Sequence, residues 1–313
     1  QQNGKPVTRV SNTAATLSYD SWKYFDEMVV KALNQRVKAW SDLRMRGLEL
    51  RLPNGMAQTL LQYQTQSSVQ DAAISMRPSR RGEADRPTTD TATLPIPLVH
   101  FDFDFDAREL AASRLGNMPL DTTMVELAGI KIGEALEKMT LGTGGDIKLN
   151  GANIYGYCSL PTRLTKTDLT VPTGSNGTTT VTEVLAMRQS LINRKHYGPY
   201  VLYCNLQWAQ FLDNDFSTAK GDLTLRQRLL AIEGINDVQV SDFLTSTNYT
   251  MVLVEMNSLN ARAIIGTEVQ TVQWDTLGGM MRHFKVLACQ VPHVRADQSG
   301  SYAGVCHGTS ATA

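Results

Sequence analysis

The sequence predicts an α+β fold, and three observations carry that expectation. Apolar residues recur at spacings of three and four over 22–43 and again over 122–141, the mark of amphipathic helices. Strand-like runs stand between and after them, alternating at 99–105 and continuously apolar at 200–205 and 249–256. Helices and strands mix without a regular strand–helix–strand repeat, which sets the class.

In chain order, residues 1–17 are polar and read as an extended arm. Ser18 or Asp20 can cap the first helix, whose stripe is Trp22, Phe25, Met28, Val29, Ala32, Leu33, Val37, Trp40 and Leu43. Gly47 ends it, and Pro53-Asn54-Gly55 makes a turn. From 56 to 93 both periods are lost. A strand with Leu61, Tyr63, Thr65 and Ser67 on one side is possible near the start of that stretch. The rest carries Arg77, Arg80, Arg81 and Arg86 between two prolines. It holds too little apolar surface to fold alone and is expected to be completed by a partner.

Val99, Phe101, Phe103 and Phe105 alternate with His100, Asp102, Asp104 and Asp106, as in a half-buried strand. A short helix is expected at 107–115, closed by Gly116-Asn117. A long one follows from 122 to about 141, capped by Asp121, with Met124, Leu127, Ala128, Ile132, Ala135, Leu136 and Met139 as its stripe. Gly142, Gly144 and Gly145 stop it. Further helices are expected at 184–195, 206–213 and 223–231. Strands are expected at 200–205, 237–240, 249–256, 263–265, 268–274 and 284–293, and the tail from 296 reads as loosely held.

Composition narrows the function. The 313 residues hold 30 Lys+Arg and 30 Asp+Glu, so the zero net charge argues against a strongly basic nucleic-acid binder. Charged residues are 19% of the chain, below the roughly 25% of ordinary soluble proteins. That shortfall suggests a surface meant to be covered. No run approaches the length of apolar chain a membrane helix needs, and the first ten residues lack a signal-peptide core. Cys158, Cys204, Cys289 and Cys306 show no Cys-x-x-Cys spacing and read as reduced, buried thiols.

The candidate chemistry is sparse. Asp102, Asp104 and Asp106 lie on one strand face about 7 Å apart. A single straight strand cannot wrap a calcium ion, so a solvated or arginine-paired face is the preferred reading and no metal is expected. Residues 141–146 resemble a phosphate loop in their glycines, but they follow a helix and lack the Gly-Lys ending. A hydrolase would pair Cys158 or Cys204 with one of His100, His196, His283, His293 and His307, yet none sits in a nucleophile or metalloprotease signature. No catalytic residue and no cofactor is assigned. Residues 1–52 hold nine bases against five acids, and 101–150 nine acids against five bases, a difference of sign suited to pairing between subunits.

The run LPIPLVHFDFDFDARELAASRLGNMPLDTTMVELAGIKIGEALEKMTLGTG resembles the equivalent stretch of encapsulins and of tailed-phage major capsid proteins. There a Leu-Pro leads a strand out of an extended loop, and a short helix and a long spine helix follow. IYGYCSL and YGPYVLYCNLQWAQFL resemble later elements of the same families, although Cys158 and Ser159 depart from the usual small residue and glycine. The resemblance covers roughly 18–295. It implies the Hong Kong 97-type capsid fold, with an N-terminal arm at 1–52, an extended loop at 53–100, a peripheral domain at 101–154 and 269–313, and an axial domain at 155–268. It further implies a virion shell protein, made in the host cytoplasm, that forms pentamers and hexamers of itself around double-stranded DNA. Portal, scaffolding and cement proteins are the possible further partners, and no membrane is involved. The arginines at 77, 80, 81 and 86 would then grip an acidic patch on the next subunit, with Asp102, Asp104 and Asp106 as the candidate. Loop tips at Gly221-Asp222 and 257–260 would lie near the symmetry axes. An encapsulin-type compartment that packages an enzyme is the alternative.

Overall fold

The structure, a computed structural model, describes residues 36–66, 74, 76, 88–115, 123–145, 147–173, 176–215, 223–244, 248–296 and 302–310. In chain order the elements are α1 (Ala39–Met45), β1 (Glu49–Arg51), β2 (Leu60–Gln66), β3 (Thr89–Pro95), β4 (Leu98–Asp106), α2 (Ala107–Leu115) and α3 (Thr123–Leu141). Next come β5 (Ile147–Leu149), β6 (Ala152–Ile154), β7 (Leu164–Leu169), α4 (Gly177–Ile192) and β8 (Tyr200–Asn205). A short 3-10 turn then leads into α5 (Ala209–Leu212), followed by α6 (Leu225–Leu230), β9 (Ile235–Ser241) and β10 (Thr250–Glu255). The last are β11 (Ala261–Thr276), β12 (Met281–Val294) and β13 (Val305–Ser310). The chain divides into two units, residues 1–36, 99–133 and 269–288, and residues 37–98, 134–268 and 289–313.

The second unit is organised by a five-stranded sheet in the order β7-β13-β10-β8-β9. Every residue of β8 and β10 is buried, as their unbroken apolar runs predict. The two pair antiparallel, with Leu253 opposite Leu202. From α4, Val184, Met187 and Leu191 join a core with Leu202, Cys204, Trp208, Leu229 and Leu253. Thr224 and Gln227 form a reciprocal capping box that starts α6. In the same unit β1 runs parallel to the start of β11, and β2 and β3 form an antiparallel hairpin from Leu60–Pro95 to Gln66–Thr89.

In the first unit, β4 buries Phe103 and Phe105 and exposes Asp102, Asp104 and Asp106, as alternation requires. Phe103 stacks on Phe284 of β12 at 5.3 Å, and Phe105 meets the same ring edge-on. Arg282 forms a two-pronged ion pair with Asp275 at 2.7 and 2.9 Å, which holds the Asp275 carboxyl below its usual range.

Several expectations need correction. The stretch from 56 to 93 is not without structure, because β3 pairs residue by residue with β2. β7 also went unrecognised, and α4 begins at Gly177, ahead of the expected 184. Strands expected at 263–265 and 268–274 are one strand, β11. Gly266, within β11, serves close approach: a Cβ added there would lie 3.0 Å from the Cα of Gly55. The tail is not loosely held either. β13 is inserted between β7 and β10 and is mostly buried. Gly308 leaves room there for Leu169 and Met187, whose side chains lie 2.9 and 3.2 Å from the position of an added Cβ. On α3, Ala128, Ile132, Leu136 and Met139 are buried, but Met124 and Leu127 are about 40% exposed. The expected start of the first helix, with Ser18 and Asp20, lies outside the described residues, as do Gly116-Asn117 and the Asp121 cap. Its end is as read: Gly47 has φ +70°, and Leu48 N–H donates to the Leu43 carbonyl.

Candidate assembly surfaces

The acidic face of β4 is built by strand alternation. Asp102 accepts from Lys285 Nζ at 3.2 Å and lies 3.3 Å from His100 Nδ1. Asp106 accepts the Arg108 N–H at 2.9 Å, and Asp104 is exposed. The first basic partner of this face is thus a lysine of its own sheet. The four arginines expected to grip it, Arg77, Arg80, Arg81 and Arg86, lie outside the described residues, and so does Gly221-Asp222.

Beside the acids, the β11–β12 hairpin carries exposed apolar side chains. Leu277 is 76% exposed and Met280 63%, and Val272 and Trp274 also face solvent. Trp274 stacks on His283 at 5.4 Å, and His283 Nε2 lies 2.7 Å from the Thr276 hydroxyl, so the hairpin is ordered up to its tip. Gly278 and Gly279, at φ +68° and +91°, supply the left-handed backbone that the tip requires.

In the second unit, the turn at 257–260 joins the one at 196–199 through a buried polar cluster. Glu255 accepts from the Gly198 N–H at 3.1 Å, lies 2.7 Å from His196 Nδ1 and takes a hydrogen bond from Asn260. Above this cluster Tyr197 and Leu259 are exposed. A second buried lock joins α1 to α3. Glu137 accepts the N–H groups of Ala39 and Trp40 at 2.9 and 3.0 Å. Asp42 accepts from the Tyr203 hydroxyl at 2.7 Å and from Gln239 at 3.1 Å. Burial pushes both carboxyls above their ordinary values. Sequence reading missed both networks. Their one signal is an acid where the surrounding pattern is apolar: Glu255 at the end of TMVLVE, and Glu137 one residue after buried Leu136.

The surroundings of the four thiols do not activate them. Burial pushes Cys158, Cys204 and Cys306 up to about 12, and Cys289 upward as well, whereas a catalytic thiol needs a depressed value. The glycines after α3 are its stop, with Gly142 at φ +75° and its N–H donating to the Lys138 carbonyl. No helix among the described residues is long and apolar enough to cross a membrane.

Solved structures share this architecture across most of the chain. The capsid of Myoviridae Phage XM1 has a TM-score of 0.64 at 9% identity, covering 85% of this chain and 91% of its own. The virus-like particle from Pyrococcus furiosus has 0.63 at 13%, covering 92% and 99%. Mycobacterium phage Bobi has 0.60 at 10%, covering 86% and 90%. The fold is therefore of the Hong Kong 97 capsid type. No curated protein matches the chain. A family model described as "Family of unknown function (DUF6260)" matches residues 12–307, and the chain belongs to that family.

Proposed function

We propose that this chain is the major capsid protein of a tailed double-stranded DNA virus, and that its copies assemble as pentamers and hexamers into an icosahedral shell. One observation carries the reading: the fold is shared nearly end to end with the phage capsid and the virus-like particle, over 85% or more of this chain and 91% or more of theirs. The exposed apolar hairpin and the shortage of charge support it, because a shell subunit covers such surface with its neighbours.

Within this reading, residues 1–52 are the N-terminal arm, 53–100 the extended loop, 101–154 and 269–313 the peripheral domain, and 155–268 the axial domain. The last segment of the peripheral stretch reaches the axial sheet, where β13 pairs with β10 and β7. The arginines at 77–86 of one copy contact the acidic β4 face of the next. Turn 257–260 and its exposed Leu259 belong at a symmetry axis. The role is structural, with no turnover. Packaged DNA is held by non-specific, salt-sensitive phosphate contacts. Portal, scaffolding and cement proteins are its other partners, and the virion is its place.

Negative-stain microscopy of the recombinant full chain tests this, with closed shells of uniform size as the expected result. Monomers or dimers under every condition, including co-expression with a scaffolding protein, would overturn it. Shells purified with a packaged enzyme and no nucleic acid would point to an encapsulin-type compartment instead.

A further inference from the structure

The second unit contains a cavity of about 950 Å³, walled by β2, β3, the β5–β6 turn, residues 160–162 and the end of β12. His293 and Arg295 line it, with Tyr63 and Thr162 beside them. His293 is 2% exposed. Its Nδ1 accepts from Arg262 Nε–H at 3.1 Å, so the neutral ring carries its proton on Nε2. That Nε2 is buried and has no hydrogen-bond partner among the described residues, and the Thr162 hydroxyl is equally unpartnered. A buried donor left unmet in this way costs free energy until an acceptor arrives.

The charges nearby point the same way. Arg295 lies over the Tyr63 ring, 5.9 Å from its centroid, and among the described residues neither Arg295 nor Arg262 is ion-paired. Asp90 is the carboxylate in the cavity wall, and it makes no ion pair with either of them. Burial and then the Arg295 charge lower Arg262 from its ordinary value. Burial, Arg262 and Arg295, in that order, push His293 down to about 3, so it stays a neutral donor. A guanidinium without an ion pair in the same cavity wall as an unmet donor has the chemistry to take an oxyanion.

We infer that Arg295 and His293 form an oxyanion site in this cavity, with Arg262 as the positioning residue that fixes the His293 tautomer from the other edge of the ring, and that the site is filled in the assembled particle by a side-chain carboxylate of a second copy of this chain. The choice of occupant rests on the shell reading and on charge balance. Residues 101–150 hold nine acids against five bases, so another copy presents an acidic segment with carboxylates to spare. Identical copies can therefore satisfy each other.

The test uses inorganic phosphate as probe on the full chain, comparing phosphate with chloride at equal ionic strength. In unassembled subunits, phosphate is expected to raise the Tm, and Arg295→Gln or Arg262→Gln to weaken the apparent Kd by about tenfold or more. Lys195→Gln, on an exposed turn, is expected to keep the full response. Should the glutamine variants fail to fold, Arg295→Lys serves: it keeps the charge, loses the fork and is expected to retain less than half of the response. Phosphate acting no better than chloride, or a response unchanged in the Arg295 variants, would overturn the site. In assembled particles the response is expected to vanish because a neighbour's carboxylate occupies the position. A response that persists there overturns the second-copy occupant. Absence of particles would count against the shell alone, since the subunit measurement decides the oxyanion site independently.

Discussion

The five-stranded sheet and the β11–β12 hairpin tip use similar residues and end in opposite states. In β8 and β10 every side chain is buried, and Leu202 and Leu253 are fully enclosed by neighbouring strands and by α4. At the tip, Leu277 and Met280 are mostly in solvent, and Val272 and Trp274 on the strands leading to it are about 40% exposed. The sheet finds its cover within one chain, with strands on both sides and helices over it. The tip has the apolar surface of an interior without the cover. Apolar content alone therefore does not tell a core from an interface, and what separates the two is whether the chain itself supplies the second layer.

The strongest way to break this contrast is Leu253→Ala. It removes a side chain at the sheet's centre and leaves a cavity, which is expected to cost about 2–5 kcal/mol in the unfolding free energy of the subunit. Urea denaturation followed by circular dichroism measures it. A loss under about 1 kcal/mol would mean that the sheet is as incomplete in one chain as the tip is.

Glu137 sharpens the contrast from the polar side, since in the closed region even an acid has its partners within the chain. Glu137→Gln puts an amide donor against one of the N–H groups of Ala39 and Trp40, and is expected to cost about 1–3 kcal/mol. The pH dependence follows from the burial of Glu137 and Asp42, which raises both carboxyls. The folded chain then binds these protons more tightly than the unfolded one. The stability they contribute is complete below the unfolded values, 4.5 for Glu and 3.8 for Asp, and is lost as pH rises through the raised folded values. The gap between wild type and Glu137→Gln should therefore narrow as pH rises from about 5 to about 8. A gap that widened would mean Glu137 is held as a favoured anion.

How much of this was legible follows the same division. The helix at 107–115, the strand at 200–205 and the alternation of the β4 phenylalanines and aspartates were readable because local pattern and burial agree there. β13 was not, because Gly308 interrupts its short pattern and the strand is held by β7 and β10 from distant parts of the chain. The single strand β11 was not seen as one, because Gly266 within it is there for close backbone approach to Gly55, a contact from a distant part of the chain. Among the candidate sites, the acidic face of β4 was visible as a period of two. The Arg262–His293–Arg295 group was not, since its members are neighbours only through the pairing of long strands.

The tip variants are expected to do less to the isolated subunit. Leu277→Ser and Met280→Ser should each change subunit stability by under about 1 kcal/mol, because their side chains are already largely in water. The same variants should lower the yield of shells several-fold, measured by sedimentation of matched amounts of protein. Equal losses in stability and assembly would place the tip with the sheet.

The smallest effect is expected at Asp104. It is exposed on β4, so Asp104→Asn should leave unfolding within about 0.5 kcal/mol of wild type. Its contribution would show only between copies, as slower assembly at low salt that converges with wild type as salt screens the charge. Assembly kinetics followed by light scattering at two ionic strengths decide the matter. If the variant assembles like wild type at low salt, Asp104 faces solvent in the particle too. The unfinished surface of this chain would then be its apolar hairpin alone.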